Sequence, residues 1–383
     1  MRLGNSADLK SHMRQPFLGG MSPRQFLHKY WQKRPMFVRH AFPPAPPLVT
    51  PDELASLSLL DEVRARIVRH SKRGWKLQHG PFTEATFRAL PKTHWTLLVQ
   101  DVNHWVPAAD QLLGQFDFIP RARLDDVMIS YAAPLGSVGP HYDSYDVFLI
   151  QAMGKRRWML GPLSDHSCIP GLDLKILSNF LPRYNITMEA GDLLYLPPGY
   201  GHHGVAIGDS MTYSIGFRAP TAAEVATQFL NYLQDHLSLE GIYTDPDLNV
   251  SRCPAHINRE LLDWVNAWVG KITWKQSDVV IFLGQFLTEA KPHVVFSRPR
   301  RPLSLSAFCT RAAKFGLAAH SKTNMLYLLP YFFINGEVLK LKSSASLFTT
   351  LANRRILEKT STIEMHDTHI LYQWYLNGFI IFP

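Results

Sequence analysis

Residues 191–203 read GDLLYLPPGYGHH, and this stretch decides how the middle of the chain folds. Gly191-Asp192 is a turn signal, and the apolar run from Leu193 to Leu196 is typical of a strand. Pro197-Pro198-Gly199 ends that strand, because proline has no N–H for a sheet and glycine permits a sharp turn. We therefore expect His202 to lie on, or just after, a loop that leaves the sheet abruptly.

The region around this stretch, from Trp95 to Phe217, is rich in short β-like runs bounded by Gly, Pro or Ser. These runs are Asp126 to Tyr131, Val147 to Ala152, Arg156 to Leu160 and Met211 to Phe217. They predict an α+β protein with a mainly β core, built as a sandwich or barrel. A helix is predicted upstream, from about Asp52 to Arg69, because an Asp-Glu first turn follows Pro51.

Downstream of Pro220 the pattern becomes helical. The predicted helices are Thr221 to Leu239, Arg259 to Val269, Ser277 to Ala290 and Leu305 to Phe315. Pro292 to Pro302 contains three prolines and is typical of a linker. Asn335-Gly336 between two apolar runs predicts a hairpin, Tyr331 to Ile334 with Val338 to Leu341. Helices plus a hairpin indicate a small winged-helix-like domain at the C-terminus.

Composition places the chain among ordinary globular proteins, with 46% hydrophobic and 19% charged residues. The formal net charge of +9 would favour a polyanionic partner only if it were clustered. The densest run, Arg298 to Arg301, is interrupted by proline and lacks helical spacing, so direct nucleic-acid binding is not expected. Three widely spaced cysteines and the lack of a long apolar segment predict a cytoplasmic protein without a membrane anchor.

The candidate metal ligands are His141, Asp143 and His202. On an extended strand, His141 and Asp143 share one face, because alternate side chains point the same way. A further imidazole would complete the two-His, one-carboxylate triad of non-haem iron(II) oxygenases. His203 competes with His202 for this role, zinc competes with iron, and a His-x-Asp motif also arises by chance among structural histidines.

A cation is also expected inside the barrel, because an oxoacid that chelates iron leaves its distal carboxylate to be bound by the protein. Residues 154–158, GKRRW, offer Lys155, Arg156 and Arg157. Alternation on a strand points Lys155 and Arg157 one way and Arg156 the other. Arg156 is therefore the predicted partner, since a guanidinium binds a carboxylate through two parallel hydrogen bonds.

These motifs resemble the bacterial JmjC ribosomal oxygenases that hydroxylate an arginine of large-subunit ribosomal protein L-sixteen. The resemblance is dense over the first 220 residues and weak beyond Pro220. It rests on residues 30–35 (YWQKRP), 102–105 (VNHW), 124–130 (LDDVMIS), 139–148 (GPHYDSYDVF), 156–158 (RRW), 196–199 (LPPG) and 213–220 (YSIGFRAP).

The resemblance implies a JmjC/cupin double-stranded β-helix in residues 1–220, a helical dimerisation region in 221–291 and a winged-helix-like domain in 292–383. It makes His141, Asp143 and His202 the iron(II) ligands of a 2-oxoglutarate-dependent dioxygenase that consumes O2. The 2-oxoglutarate pocket would contain Arg156, Ser130 and, where relatives carry another residue, Thr212. The implied protein is a homodimer that acts on a ribosomal protein.

A basic substrate is not attracted by an enzyme that is itself basic, so local carboxylates must recognise it. Asp126 and Asp146 are the candidate substrate-binding residues. Asp126 lies four residues before Ser130, on the same predicted strand face. The alternatives are a histidine hydroxylase of ribosomal proteins, which would have the same metal and cosubstrate residues, a winged-helix nucleic-acid-binding sensor, and a cupin enzyme without 2-oxoglutarate.

Overall fold

The computed structural model describes residues 14–341, 345–359 and 364–383. The chain forms two compact units. One comprises the residues up to Ala219 with Lys291–Thr323 and Lys359–Pro383, and the other comprises Pro220–Ala290 with Asn324–Glu358. The chain thus passes between units within one residue of the boundaries expected at 220 and 291, while the 292–383 segment contributes to both units. The division into three domains stays a prediction.

The main sheet lies in the first unit and is antiparallel in each of its strand pairs. Its strands are β1 (Met36–Val38), β2 (Ala65–Ser71), β3 (Gly74–His79), β4 (Trp95–Val99), β5 (Leu124–Ala132), β6 (Val147–Pro162), β7 (Tyr184–Glu189), β8 (Leu193–Leu196) and β9 (Tyr200–Phe217). The order is β1-β8-β6-β9-β5-β4-β2-β3, and β7 pairs with β6. The expected mainly β core is confirmed.

The long strands β6 and β9 carry two of the candidate site residues, Arg156 and His202. Residues 147–150 of β6 pair with β8, whereas residues 155–160 pair with β7. Strand β9 pairs with β6 along its length, and the register shifts between Gln151 and Lys155. Because of this irregularity, β6 pairs with β8 in its first part and with β7 in its second part. We call the face of β6 and β9 that carries Arg156, Trp158 and His202 the inner face.

From residue 14 onward, where the structure describes the chain, four α-helices precede β6: α1 (Pro23–Lys29), α2 (Pro51–Leu57), α3 (Glu84–Arg88) and α4 (Pro107–Gly114). The predicted helix from Asp52 to Arg69 is wrong in its second half. Helix α2 begins at Pro51, directly after Thr50, whose side chain forms a capping box with Glu53, and it ends at Leu57. The residues from Ala65 onward form β2, because the β-branched pair Ile67 and Val68 is buried between two neighbouring strands.

The second unit contains α5 (Ala222–His236), α6 (Arg259–Val269) and α7 (Gln276–Thr288). Thr221 caps α5 by accepting a hydrogen bond from the backbone of Glu224. The predicted hairpin is present within the three-stranded sheet β11-β12-β13, formed by Met325–Leu328, Tyr331–Ile334 and Glu337–Lys340, and Asn335 has the left-handed conformation its turn requires. Helix α9 (Ala345–Arg354) and strand β14 (Ile356–Leu357) complete this unit.

The remaining elements belong to the first unit: α8 (Leu305–Phe315), β10 (Leu317–Ala319), α10 (Met365–Leu376) and β15 (Ile380–Ile381). Strands β10 and β15 pair in an antiparallel register. The predicted bounds of α8 are confirmed. Among the described residues, no helix combines the length and the apolar character needed to cross a membrane.

Two glycines of the β6–β9 region differ in how closely neighbouring atoms pack around them. Gly154 and Gly208 both have positive φ, +66° and +73°, which side chains rarely adopt. A Cβ on Gly154 would lie 1.9 Å from the carbonyl oxygen of Asp209, whereas a Cβ on Gly208 would meet nothing within 4 Å. Gly208→Ala should therefore cost about 1 kcal/mol of unfolding free energy, and Gly154→Ala about 3 kcal/mol, because overpacking adds to the conformational cost.

Urea unfolding of the two variants measures this difference. Equal losses of stability would show that the β6 backbone at Gly154 can move away from Asp209 without cost, contrary to the packing described.

Candidate metal centre and active site

His141 and His202 face each other through a pair of backbone hydrogen bonds. The N–H of His141 donates to the carbonyl of His202 at 2.9 Å, and the N–H of His202 donates to the carbonyl of His141 at 2.8 Å. Their ring centroids are 4.2 Å apart. His202 lies within β9, so the expectation that it lies on a loop or just after one is met by the second alternative.

Asp143 lies beside the imidazoles of His141 and His202. Its carbonyl accepts a hydrogen bond from the N–H of Gly199 at 2.7 Å, which ties it to the Pro-Pro-Gly turn. Its Oδ2 is 3.7 Å from Nε2 of His202. One potential ligand atom from each of His141, Asp143 and His202 lies within 4.8 Å of the others, and no other such His, Cys, Asp or Glu cluster occurs in the described part of the chain.

Both histidines are oriented to present Nε2 to a metal. Nδ1 of His141 is 3.0 Å from the carbonyl of Gly139, and Nδ1 of His202 is 3.0 Å from the carbonyl of Tyr200. A carbonyl only accepts hydrogen bonds, so each Nδ1 carries the proton and each Nε2 has a free lone pair. Burial and the neighbouring His141 lower the pKa of His202 to about 4, which keeps it in the neutral form that metals bind.

His203 points away from this cluster. It follows His202 on the same strand, so its side chain leaves on the other face. Its Nε2 is 3.0 Å from the hydroxyl oxygen of Ser137. The structure therefore places His202, and not His203, beside His141 and Asp143.

Arg156 is buried on the inner face with its guanidinium partly unsatisfied. The residue is 5% exposed, and its Nε and Nη2 have no hydrogen-bond partner. Burial lowers its pKa to about 10, so the group still carries its charge at neutral pH. A buried charge without a counter-ion is costly, and an anionic ligand would remove that cost.

The neighbours of Arg156 have other surroundings. Lys155 is exposed and forms an ion pair with Glu189 at 2.7 Å, and Arg157 is exposed. The guanidinium of Arg156 lies 5.6 Å from the ring of Trp158, whose own ring is 5.9 Å from that of His202. The alternation expected for the three cations is present, and it directs Arg156 toward the metal ligands.

Ser130 and Thr212 lie opposite each other on β5 and β9. The hydroxyl of Ser130 donates to the carbonyl of Thr212 at 3.4 Å. The hydroxyl of Thr212 donates to Oε1 of Gln151 at 3.2 Å. Gln151 is fully buried, and sequence reasoning missed it, although an amide within the apolar run Val147 to Ala152 is an unusual residue for a core strand.

Asp126 is buried near the start of β5, where the register shifts between Leu124 and Val127. Its Oδ2 accepts a hydrogen bond from the N–H of Asp101 at 2.9 Å. Burial, followed by the charges of Asp125 and Asp101, raises the pKa of Asp126 to about 7. This carboxylate is thus poised between its neutral and ionised forms at neutral pH.

Asp146 does not join these residues. Its two oxygens accept hydrogen bonds from the hydroxyl of Tyr195 at 2.6 Å, from Nε2 of Gln32 at 3.0 Å and from Arg123 at 3.2 Å. The neighbouring Val147 packs in the cluster that contains Trp158, so Asp146 leaves the strand on the opposite face. These hydrogen bonds attach the N-terminal segment to the sheet through Gln32, and they do not favour the substrate-binding role expected of Asp146.

Comparison with known proteins identifies the family. A model described as JmjC domain matches residues 111–225. The ribosomal protein uL16 3-hydroxylase of Escherichia coli is 36% identical over 278 residues, which cover 72% of this chain and 74% of that protein. The chain belongs to the JmjC ribosomal oxygenases. A probable ribosomal oxygenase of Haemophilus influenzae is 38% identical over 235 residues, covering 60% of this chain and 56% of that protein.

Solved structures agree with this assignment to the ribosomal oxygenases. The X-ray structure of E. coli ycfD matches with a TM-score of 0.82 and 30% identity, covering 94% of this chain and 98% of that one. A structure of E. coli YcfD in complex with cobalt and 2-oxoglutarate matches with a TM-score of 0.78 and 31% identity, with the same coverage. The JmjC/cupin fold expected from the sequence is confirmed.

The residues of this ribosomal oxygenase fit the cofactors of its family, iron(II) and 2-oxoglutarate. Two neutral imidazoles and one carboxylate form the donor set that non-haem iron(II) prefers, and such a site leaves positions open for a chelating cosubstrate and O2. The unsatisfied guanidinium of Arg156 is a suitable partner for a carboxylate that reaches away from the metal.

Metal binding should depend on His202 and not on His203. We expect His202→Ala to weaken cobalt(II) binding by about 100-fold or more, because losing a ligand costs at least as much as losing its supporting partner. His203→Ala should stay within a few-fold of the wild type, because its Nε2 contacts Ser137 and not the cluster. Isothermal titration with cobalt(II) measures both. Comparable losses in the two variants would contradict the ligand assignment.

Proposed function

We propose that this ribosomal oxygenase hydroxylates an arginine side chain of ribosomal protein uL16. The observation that carries the proposal is the carboxylate of Asp126, which is buried on β5, the strand that also carries Ser130. The proposal is supported by the relative from E. coli, whose name states hydroxylation of uL16. Relatives named as histidyl-hydroxylases match less of the chain: that of Dictyostelium discoideum covers 21% of it.

His141, Asp143 and His202 would hold iron(II), and Arg156 would bind the distal carboxylate of 2-oxoglutarate. Iron(II), 2-oxoglutarate and O2 together supply the oxidising chemistry, in which the cosubstrate is converted to succinate and CO2. Ser130 and Thr212 are proposed to line the cosubstrate pocket through their hydroxyls. Gln151, which accepts from Thr212, would hold that hydroxyl in place.

Asp126 would bind the guanidinium of the substrate and so fix the carbon that is oxidised. Desolvation, and then the charges of Asp143 and Asp126, raise the pKa of Tyr145, which supports a placement of these two carboxylates in one region. A paired carboxylate holds a guanidinium in a defined geometry, and positioning is a large part of catalysis. Asp146 is omitted from the proposal because its oxygens are already occupied.

A homodimer in the cytoplasm is also proposed. Large apolar side chains of the helical segment 220–290 are exposed in the single chain, among them Leu230, Leu262, Val265, Val269 and Trp274. A monomer rarely exposes so much apolar surface, and a second copy would cover it. Light scattering of the purified protein should give twice the mass of one chain, and a mass of 43.6 kDa would contradict the dimer.

The role of Arg156 is tested by conservative substitution. Arg156→Lys keeps the charge but loses the second parallel hydrogen bond, so the KM for 2-oxoglutarate should rise about tenfold, the effect of roughly 1.4 kcal/mol. The matched control is Arg157→Lys, which changes an exposed neighbour and should leave this KM unchanged. An increase in the control alone would assign the cosubstrate to Arg157.

Substrate recognition is tested by Asp126→Asn. The amide keeps the shape of the carboxylate but not its charge, so kcat/KM for an arginine peptide of uL16 should fall about 100-fold, in line with the ~2–3 kcal/mol of a desolvated charge pair. Succinate release without peptide and cobalt(II) binding should persist, which shows that the fold is intact. Mass spectrometry locates the added oxygen. Oxygen on a histidine peptide, or wild-type kinetics on the arginine peptide, would refute the proposed specificity.

A further inference from the structure

A cluster of charged side chains surrounds Asp101, the residue whose N–H donates a hydrogen bond to Asp126. Asp101, whose N–H donates to Asp126, has a left-handed backbone with φ 55°. Its Oδ1 accepts from Nζ of Lys291 at 2.6 Å, and its Oδ2 accepts from Arg64 at 3.1 Å and is 3.1 Å from Nε2 of His293. A non-glycine residue keeps this conformation only when its surroundings fix it. The three cationic or imidazole groups supply that restraint.

Lys291 contacts more of this cluster than its ion pair with Asp101. Its Nζ is also 2.9 Å from Oδ1 of Asp125, the residue that precedes Asp126 on β5. The side chain of Lys291 is 21% exposed and that of Asp101 is 3% exposed, so water screens their contact weakly. Lys291 therefore contacts both Asp125, which precedes Asp126 in the chain, and Asp101, whose N–H donates a hydrogen bond to Asp126.

The cluster also needs a cation for electrostatic reasons. Asp101, Asp125 and Asp126 are close together, because Lys291 contacts the carboxylates of Asp101 and Asp125 and the N–H of Asp101 donates to Asp126. Burial and the two neighbouring aspartates raise the pKa of Asp126, while Lys291 lowers it. Burial lowers the pKa of Lys291, but the three aspartates outweigh that effect and raise it, so Lys291 stays charged.

We propose that Lys291 is a positioning residue for substrate recognition, which holds Asp101 and Asp125 so that Asp126 presents an ionised carboxylate to the guanidinium of the substrate. This inference rests on the proposed arginine specificity. It gives a role to the segment 102–105, VNHW, because Asn103 next to the Asp101 turn accepts a hydrogen bond from the N–H of Val127 and so fixes the other side of Asp126.

Lys291→Met tests the proposal, since it keeps the length of the side chain and removes the charge. At pH 7 the KM for the arginine peptide should rise about tenfold, while the KM for 2-oxoglutarate stays the same. Only ionised Asp126 pairs with a guanidinium, so peptide binding improves as pH rises through the pKa of Asp126. In the variant, the midpoint of that rise should move up by about one pH unit.

Two control variants separate charge from general disturbance. Lys291→Arg should keep the peptide KM within a few-fold of the wild type, because the charge remains. Lys314→Met, on the exposed surface of α8, should change neither KM nor the pH profile. A Lys291→Met enzyme with the wild-type peptide KM and the wild-type midpoint would overturn the proposal.

An infrared titration distinguishes failure of this inference from failure of the proposed function. The carboxylic acid band of Asp126 is isolated as the difference between each protein and its Asp126→Asn form, with cobalt(II) and 2-oxoglutarate bound. Its midpoint should lie higher in Lys291→Met than in the wild type, whatever peptide the enzyme oxidises. If no arginine peptide is oxidised, the proposed function fails, and an unchanged infrared midpoint independently refutes the role of Lys291.

Discussion

Two backbone hydrogen bonds between His141 and His202 hold the active centre together. Metal ligands that are 61 positions apart in the chain can meet only if the backbone brings them together, and this reciprocal pair does so before any metal binds. The carbonyls of Gly139 and Tyr200 then fix the ring orientations, and the N–H of Gly199 fixes Asp143. The centre is therefore preorganised by main-chain contacts, which substitutions of side chains do not easily remove.

The other main feature of the site is a pair of charged side chains that are buried within the first unit. Arg156 and Asp126 are both buried, and each requires a group of opposite charge. The guanidinium lacks partners for two nitrogens and suits an anionic ligand, whereas the carboxylate is stabilised by the backbone N–H of Asp101 and the charge of Lys291. Under the proposed function, an enzyme with a net charge of +9 would bind a basic side chain at Asp126 and the acidic cosubstrate at Arg156.

Much of this was predictable from sequence because it depends on local rules. Alternation along a strand separates Arg156 from Lys155 and Arg157, and turn chemistry positions the residues after Pro198. What failed depends on tertiary context. The stretch from Asp52 to Arg69 contains a strand because Ile67 and Val68 are buried between neighbouring strands. The contribution of Lys291 could not be read from a position 165 residues beyond Asp126.

The most direct test of the central claim is the visible spectrum of the anaerobic enzyme with iron(II). Chelation of iron(II) by the keto and carboxylate oxygens of 2-oxoglutarate produces a charge-transfer band that simple carboxylates do not produce. The account predicts that this band appears when 2-oxoglutarate is added to the iron(II) enzyme, persists in His203→Ala and is lost in His202→Ala. A wild-type enzyme that binds iron(II) but shows no such band would contradict the assignment of this centre.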